Sequence, residues 1–363
     1  MRRLDSFIGQ RNNLNGIRLF LALLVMLSHC YPLTGNADGE PLSRWTGGQE
    51  TFGGIAVELF FFISGLLITG SWFHSKSMSD YLRRRILRIF PGYVVGLLFS
   101  GLAAAAFTLH PAANLWRFLG KAFLDTGFLG FASTIGREIF PNNPLPGAAN
   151  GSLWTISREF ACYLLVAAIG LFGFFKHRVW LTMLFLAVFG YYCWQFVVGV
   201  NVDTLNCRFL TLFLAGACAW LWRDKICLTG MAAVLAVGIL LFAARMSPLF
   251  SLLVPLAGGY LVLYAGFVSP VRFLGWCDRT DLSYGVYLFA FPLQQCVAAC
   301  GVRNPLQMFA LMIPLALAAA FLSWTFVEKP FLKLKSRPFS DRDPARTVPL
   351  PKREMPQPVV SPD

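Results

Sequence analysis

Arg18 and His29 stand eleven residues apart in GIRLFLALLVMLSHCYPL, the otherwise apolar run at residues 16–33. An α-helix turns 100° and rises 1.5 Å per residue, so both side chains share one face, about 16 Å apart along the axis. A guanidinium presents a fork of donors suited to phosphate. An imidazole moves protons near neutral pH and serves as a general base on a hydroxyl. Taken singly, an arginine near a helix terminus can snorkel, and a histidine can be a hydrogen-bonded structural residue. Two ionisable groups on one face of a bilayer-grade segment instead mark a functional site, because burial of charge at such depth costs about 2.5–3.5 kcal/mol.

Other chemistry-bearing residues fall in similar places. Glu58 lies in GGIAVELFFFISGLLITGS at a depth close to that of His29, where a carboxylate would fix the imidazole tautomer. Arg85 and Arg88, in YLRRRILRIFPGY, are three apart and share a helix face. They would meet either an anionic nucleotide or lipid headgroups. Arg158 and Glu159, in NGSLWTISREFACYLL, point about 100° apart and need not pair with each other. Ser283, Tyr284, Tyr287, Gln294 and Gln295 occupy DLSYGVYLFAFPLQQ, where the tyrosines could also form an interfacial aromatic belt. His74, His110 and His177 sit at segment ends, where solvation is expected. No metal-ligand cluster, phosphate loop or nucleophile elbow is legible.

The elements that must hold these groups follow from composition. Of 363 residues, 56% are hydrophobic and only 13% are charged, and the mean hydropathy is +0.59, which points to an integral membrane protein. Apolar runs near 17–34, 53–74, 89–109, 153–175, 179–199, 206–222, 227–244, 249–268, 282–300 and 306–327 are continuous, as spanning helices require and barrel strands do not. The expected fold is therefore all-α, a polytopic bundle of about ten transmembrane helices. Residues 114–131 contain Arg117, Lys121 and Asp125 and are expected to be amphipathic or re-entrant. With both termini cytoplasmic, most of the basic residues behind the net charge of +13 fall in inner loops, as the positive-inside rule expects. That scatter of short clusters also argues against a nucleic-acid partner.

The nine cysteines form no CxxC pair, so neither a disulfide framework nor a zinc site is expected. The first apolar run lacks a small-residue cleavage site and is expected to remain as a signal anchor. The outer loop 110–152, with PNNPLPGAANGSLW at its end, could be an acceptor-binding lid or a solvated connector. A spanning domain at 1–334 and a disordered cytoplasmic tail at 335–363 complete the expected organisation.

In order along the chain, the Arg18–His29 spacing, AVELFFFISGLLI, RRRILRIFP with Arg85 and Arg88, NGSLWTISREFACYLL, SYGVYLFAFP and FVEKPF resemble the membrane acyltransferase 3 family over residues 12–334. The resemblance implies a multi-pass protein of the bacterial inner membrane that moves an acyl group, usually acetyl, from cytoplasmic acyl-CoA to an extracytoplasmic carbohydrate. It implies functional roles for Arg18, His29, Arg85 and Arg88, and it matches Ser283 and Tyr287 to a family S-x-x-x-Y pattern. Many relatives carry an acidic or aromatic residue where this chain has Arg158, which leaves the role of the Arg158–Glu159 step open. Some relatives also carry a C-terminal SGNH-type domain. Here the acyl group would pass directly to the acceptor or to a separate periplasmic transferase, with glycosyltransferases as further partners. No tightly bound cofactor is implied; acetyl-CoA is a donor substrate.

The expected mechanism places the CoA phosphates on Arg85 and Arg88 with Arg18 just inside, and the thioester beside His29. His29, oriented by Glu58, takes the proton of a sugar hydroxyl. The rival reading is a proton-coupled transporter or exporter of a glycan or lipid-linked intermediate, with His29 and Glu58 as a relay. The absence of a legible inverted repeat weighs against it.

Overall fold

A computed structural model describes residues 2–108, 116, 120, 139–199, 204–246, 249–269 and 280–336. Most of the 114–131 segment and the chain after 336 lie outside the described residues, and with them the expectations of a re-entrant element and a disordered tail. Each of the ten apolar stretches contains helix: α1 Leu14–Leu33, α2 Phe52–Phe73, α3 Met78–Ala106, α4 Trp154–Leu171 and α5 Arg178–Val198, then α6 Thr204–Leu221, α7 Gly230–Ala243, α8 Leu249–Phe267, α9 Ser283–Ala299 and α10 Pro305–Lys333. Among the described residues, seven of these are long and apolar enough to cross a membrane: α1–α5, α8 and α10. The chain is a multi-pass helical membrane protein. The only other regular pairing among the described residues is a short antiparallel ribbon, Arg2–Arg3 with Cys227–Leu228.

Helix starts are set by local chemistry. Thr51 caps α2 by accepting from the Gly54 amide at 2.9 Å, Ser77 caps α3 through the Asp80 amide at 3.1 Å, and Asn304 caps α10 through Leu306 and Gln307. Each cap satisfies amides that have no intrahelical partner.

Successive helices run in opposite directions between two poles. At the basic pole, Asn13 bonds the Ala265 carbonyl, Arg83 bonds the Leu334 carbonyl, and Arg178 pairs with Asp224. At the opposite pole, Gln49 bonds the Ala244 carbonyl and Asn143 bonds Gln295. The deepest packing joins α2 to α6. A Cβ on Gly65 would strike the Phe213 carbonyl, and one on Gly216 the Phe62 carbonyl, so glycine lets these two backbones touch. Helix α1 packs against α2, α9 and α10 and so sits inside the bundle. Lipid-facing helices contrast with it: α7 exposes Met231, Val234 and Phe242.

Segment 139–153 is packed and not a solvated connector. Its Asn143 donates to the Gln295 side chain at 2.7 Å, and Gln295 donates to the Leu145 and Ala148 carbonyls at 2.9 and 2.8 Å. Asn150 donates to the Ser100 hydroxyl and to the Leu288 carbonyl. These buried amides fasten the segment onto α9 at the opposite pole. Tyr284 and Gln294 are likewise internal and form no interfacial belt: they bond the carbonyls of Ile89 and Met26.

Candidate active site

Two polar clusters lie at opposite ends of the bundle, and α1 contributes to both. At the basic pole, Asp281 precedes α9 and is shared by two guanidiniums. Arg18 reaches its Oδ2 at 2.6 Å, and Arg88 pairs with the same oxygen. Arg88 also reaches Glu328 at 3.4 Å, and Ser283 donates to Asp281 Oδ1 at 2.5 Å. Burial opposes ionisation of Asp281, but Arg18, Arg88 and the Ser283 hydroxyl and amide outweigh it and hold the carboxyl well below the usual range. Arg85 differs from its neighbours. It donates to the Ser71 hydroxyl at 3.1 Å and lies over the rings of Tyr81 and Tyr163, yet its buried Nε has no partner among the described residues.

At the opposite pole, His29 lines a cavity of about 290 Å³ together with Glu50, Thr51, Trp154, Arg208 and Tyr287. Its ring stands edge-on to Phe291 at 5.1 Å, and its buried Nδ1 has no hydrogen-bond partner among the described residues. The expected Glu58–His29 pair does not form. Glu58 is fully buried and ion-pairs with Arg208, which also holds Glu50. The physical reason is charge. A carboxylate sealed between α2 and α6 is stabilised far more by a permanently charged guanidinium than by a neutral imidazole.

Between the poles runs a polar stripe. Glu159 accepts from Ser64 at 2.7 Å and from Tyr163 at 2.6 Å, and Tyr163 is one of the rings under Arg85. One helical turn toward the other pole, Thr155 bonds the Tyr287 hydroxyl at 2.6 Å, and Tyr287 lines the His29 cavity. Thr155, Glu159 and Tyr163 thus follow one face of α4, and Ser283 and Tyr287 one face of α9, from one cluster to the other. Arg158 points elsewhere. It bonds Asn206 at 2.5 Å and the Trp154 carbonyl at 2.7 Å, with its guanidinium 4.8 Å from the Trp154 ring. Arg158 and Glu159 do not pair.

The structure therefore gathers Arg18, Arg85, Arg88 and Ser283 at one pole and His29 and Tyr287 at the other, with Glu159 between them. It adds residues that sequence reasoning missed: Arg208, Glu50, Asp281, Glu328 and Tyr163. Arg208 carried the same signal as Arg18, a guanidinium inside an apolar run. Asp281 and Glu328 lie in DLSYGV and FVEKPF, but an acid at a segment end is ordinary and did not mark either as a partner of the guanidiniums.

Comparison with known proteins gives a consistent picture. A family described as an acyltransferase domain matches residues 11–327. Nodulation protein 10 of Rhizobium leguminosarum bv. viciae is 29% identical, over 90% of this chain and 95% of its own. The O-acetyl transferase of Shigella phage Sf6 is 28% identical, over 88% of this chain and 95% of its own. Acyltransferase MdmB of Streptomyces mycarofaciens is 30% identical over 42% of this chain and 37% of its own. No solved structure matches.

Proposed function

The chain belongs to the acyltransferase 3 family, and on that premise we propose that it is a membrane O-acyltransferase carrying an acyl group, most simply acetyl, from cytoplasmic acyl-CoA to a hydroxyl of an extracytoplasmic carbohydrate. The observation that carries this reading is the pairing on one helix of Arg18, in a guanidinium cluster, with His29, which lines a cavity and whose buried Nδ1 has no hydrogen-bond partner among the described residues. The likeness to a phage O-acetyl transferase along nearly the whole chain supports the same reaction class.

In this reading the donor's phosphates lie against Arg85 and Arg88 at the basic pole, which faces the cytoplasm. The pantetheine arm follows the stripe of Tyr163, Glu159 and Tyr287, and spans the roughly 16 Å between Arg18 and His29. The acceptor hydroxyl enters the opposite cavity, where Trp154 offers an aromatic face and Arg208 and Glu50 offer charged hydrogen-bonding groups. His29 takes the hydroxyl proton as the oxygen attacks the thioester carbon. The tetrahedral intermediate then collapses, the carbon–sulfur bond breaks, and the sulfur leaves as thiolate and takes the proton from the imidazolium. Glu58 holds Arg208 in place and is not the group that orients His29.

The test is transfer from labelled acetyl-CoA to glycan in membrane vesicles. His29→Ala abolishes product at normal protein level, whereas Arg85→Ala raises the donor concentration needed for half-maximal rate. Wild-type transfer by the His29→Ala protein would overturn the mechanism. A proton-gradient-dependent flux of unmodified substrate would favour a transporter instead.

A further inference from the structure

Around Asp281 and Glu328 at the basic pole, some guanidiniums are matched by carboxylates and Arg85 is not. Arg18 and Arg88 are matched by Asp281 and Glu328, and Arg84 is matched by Asp80 at 3.0 Å. Arg85 has only a hydroxyl and two aromatic rings. A further cation reaches this cluster from the far end of the described chain. After α10, the turn Leu334–Ser336 folds back over the start of α3, where Arg83 donates to the Leu334 carbonyl at 2.5 Å. Lys335 follows in the same turn, within the electrostatic reach of Arg85, Arg88 and Arg84, with no carboxylate in ion-pair contact among the described residues. Lys335 therefore belongs to the packed bundle, one residue beyond the boundary expected at 334.

A partly buried ammonium among guanidiniums is unfavourable in the empty protein. It persists where an anion completes the site. We propose that Lys335 is a donor-binding residue, closing with Arg85 a two-cation clamp on the phosphates of acyl-CoA. The inference rests on the proposed function and deepens it, since it assigns part of the donor site to the C-terminal turn.

The same geometry makes donor binding proton-linked. Burial, and then the charges of Arg85, Arg88 and Arg84, pull the Lys335 ammonium down to about 7, against a smaller opposing effect of Asp281. Arg83 and Glu328 on the flanking elements complete the charged surroundings. A phosphate dianion arriving beside it restores the proton. In the empty site the lysine is increasingly neutral above pH 7, so binding takes up a proton and affinity falls as pH rises. Phosphate itself is already dianionic there, with its second pKa near about 6.

The experiment is equilibrium binding of acetyl-CoA to purified full-length protein at pH 7.0 and 8.5, for wild type, Lys335→Gln and Lys335→Arg. Wild type is expected to bind several-fold more weakly at pH 8.5. Lys335→Gln weakens binding about five- to tenfold at pH 7.0 and removes the pH dependence. Lys335→Arg binds well at both values, because arginine stays charged throughout. In the transfer assay, Lys335→Gln raises KM for the donor about tenfold, with less than a twofold change in kcat. Wild-type affinity in Lys335→Gln would overturn the clamp and leave the proposed function standing. If the Gln protein fails gel filtration, Lys335→Arg decides, and a pH dependence equal to wild type overturns the clamp. No acetyl-CoA binding by wild type would remove both the clamp and the donor assignment.

Discussion

Residue types announced the site well where they broke a hydrophobic rule. Arg18, His29 and Glu58 were legible because an ionisable group in a bilayer-grade run requires a compensating reason. What the residues could not disclose was partner choice. Glu58 and His29 lie at similar depth, and an imidazole is a reasonable neighbour, yet Arg208 takes the carboxylate. This assignment has a consequence for stability. Arg208 is held between Glu50 and Glu58, both buried. Arg208→Met should cost about 3–5 kcal/mol, the usual penalty for leaving a buried charge unpaired. It should be read as a drop in melting temperature in detergent. Glu58→Gln together with Arg208→Met should recover part of the loss, since the two groups are coupled. An unchanged melting temperature in the single variant would show that Arg208 does not neutralise these acids.

At the scale of elements, the length of the continuous apolar runs located the helices, and the caps at Thr51, Ser77 and Asn304 set their starts. Which helices touch was not legible, because a uniformly apolar helix has no obvious inner face. A small residue such as Gly65 suits close helix approach, but the sequence does not name its partner; the structure supplies Gly216 and the Phe62 and Phe213 carbonyls. Gly65→Ala and Gly216→Ala should each destabilise by about 1–3 kcal/mol, as overpacking against a rigid neighbour does. Gly238→Ala on α7 meets open space and serves as the control. It should leave the melting temperature unchanged or slightly raised, since alanine is the better helix former. Equal behaviour of the three variants would mean that α2 and α6 are not in backbone contact. The polar segment 139–153 was readable as irregular from its Pro and Gly. Its attachment through Asn143, Asn150 and Gln295 depends on residues 138 and 152 positions away.

For the molecule as a whole, the two poles imply an arrangement across the membrane that free cysteines can report. Cys227 and Cys300 are exposed, one within the basic-pole ribbon and the other at the far end of α9. On the proposed orientation, which puts the basic pole in the cytoplasm, a chain retaining only Cys300 should react with a membrane-impermeant maleimide on intact spheroplasts. A chain retaining only Cys227 should react only after permeabilisation. Reversal would invert the orientation, and labelling of both from one side would break the two-pole arrangement.

By itself the sequence determined the class, the helices and some of the buried charges, Arg18, His29 and Glu58, because those follow from local composition, from the length of the apolar runs and from the cost of a charge in lipid. Only the tertiary structure decided the pairings: Asp281 between Arg18 and Arg88, and Glu58 with Arg208. Each joins residues remote in the chain. Each was settled by which helix faces meet and by how buried charges there find the strongest available opposite.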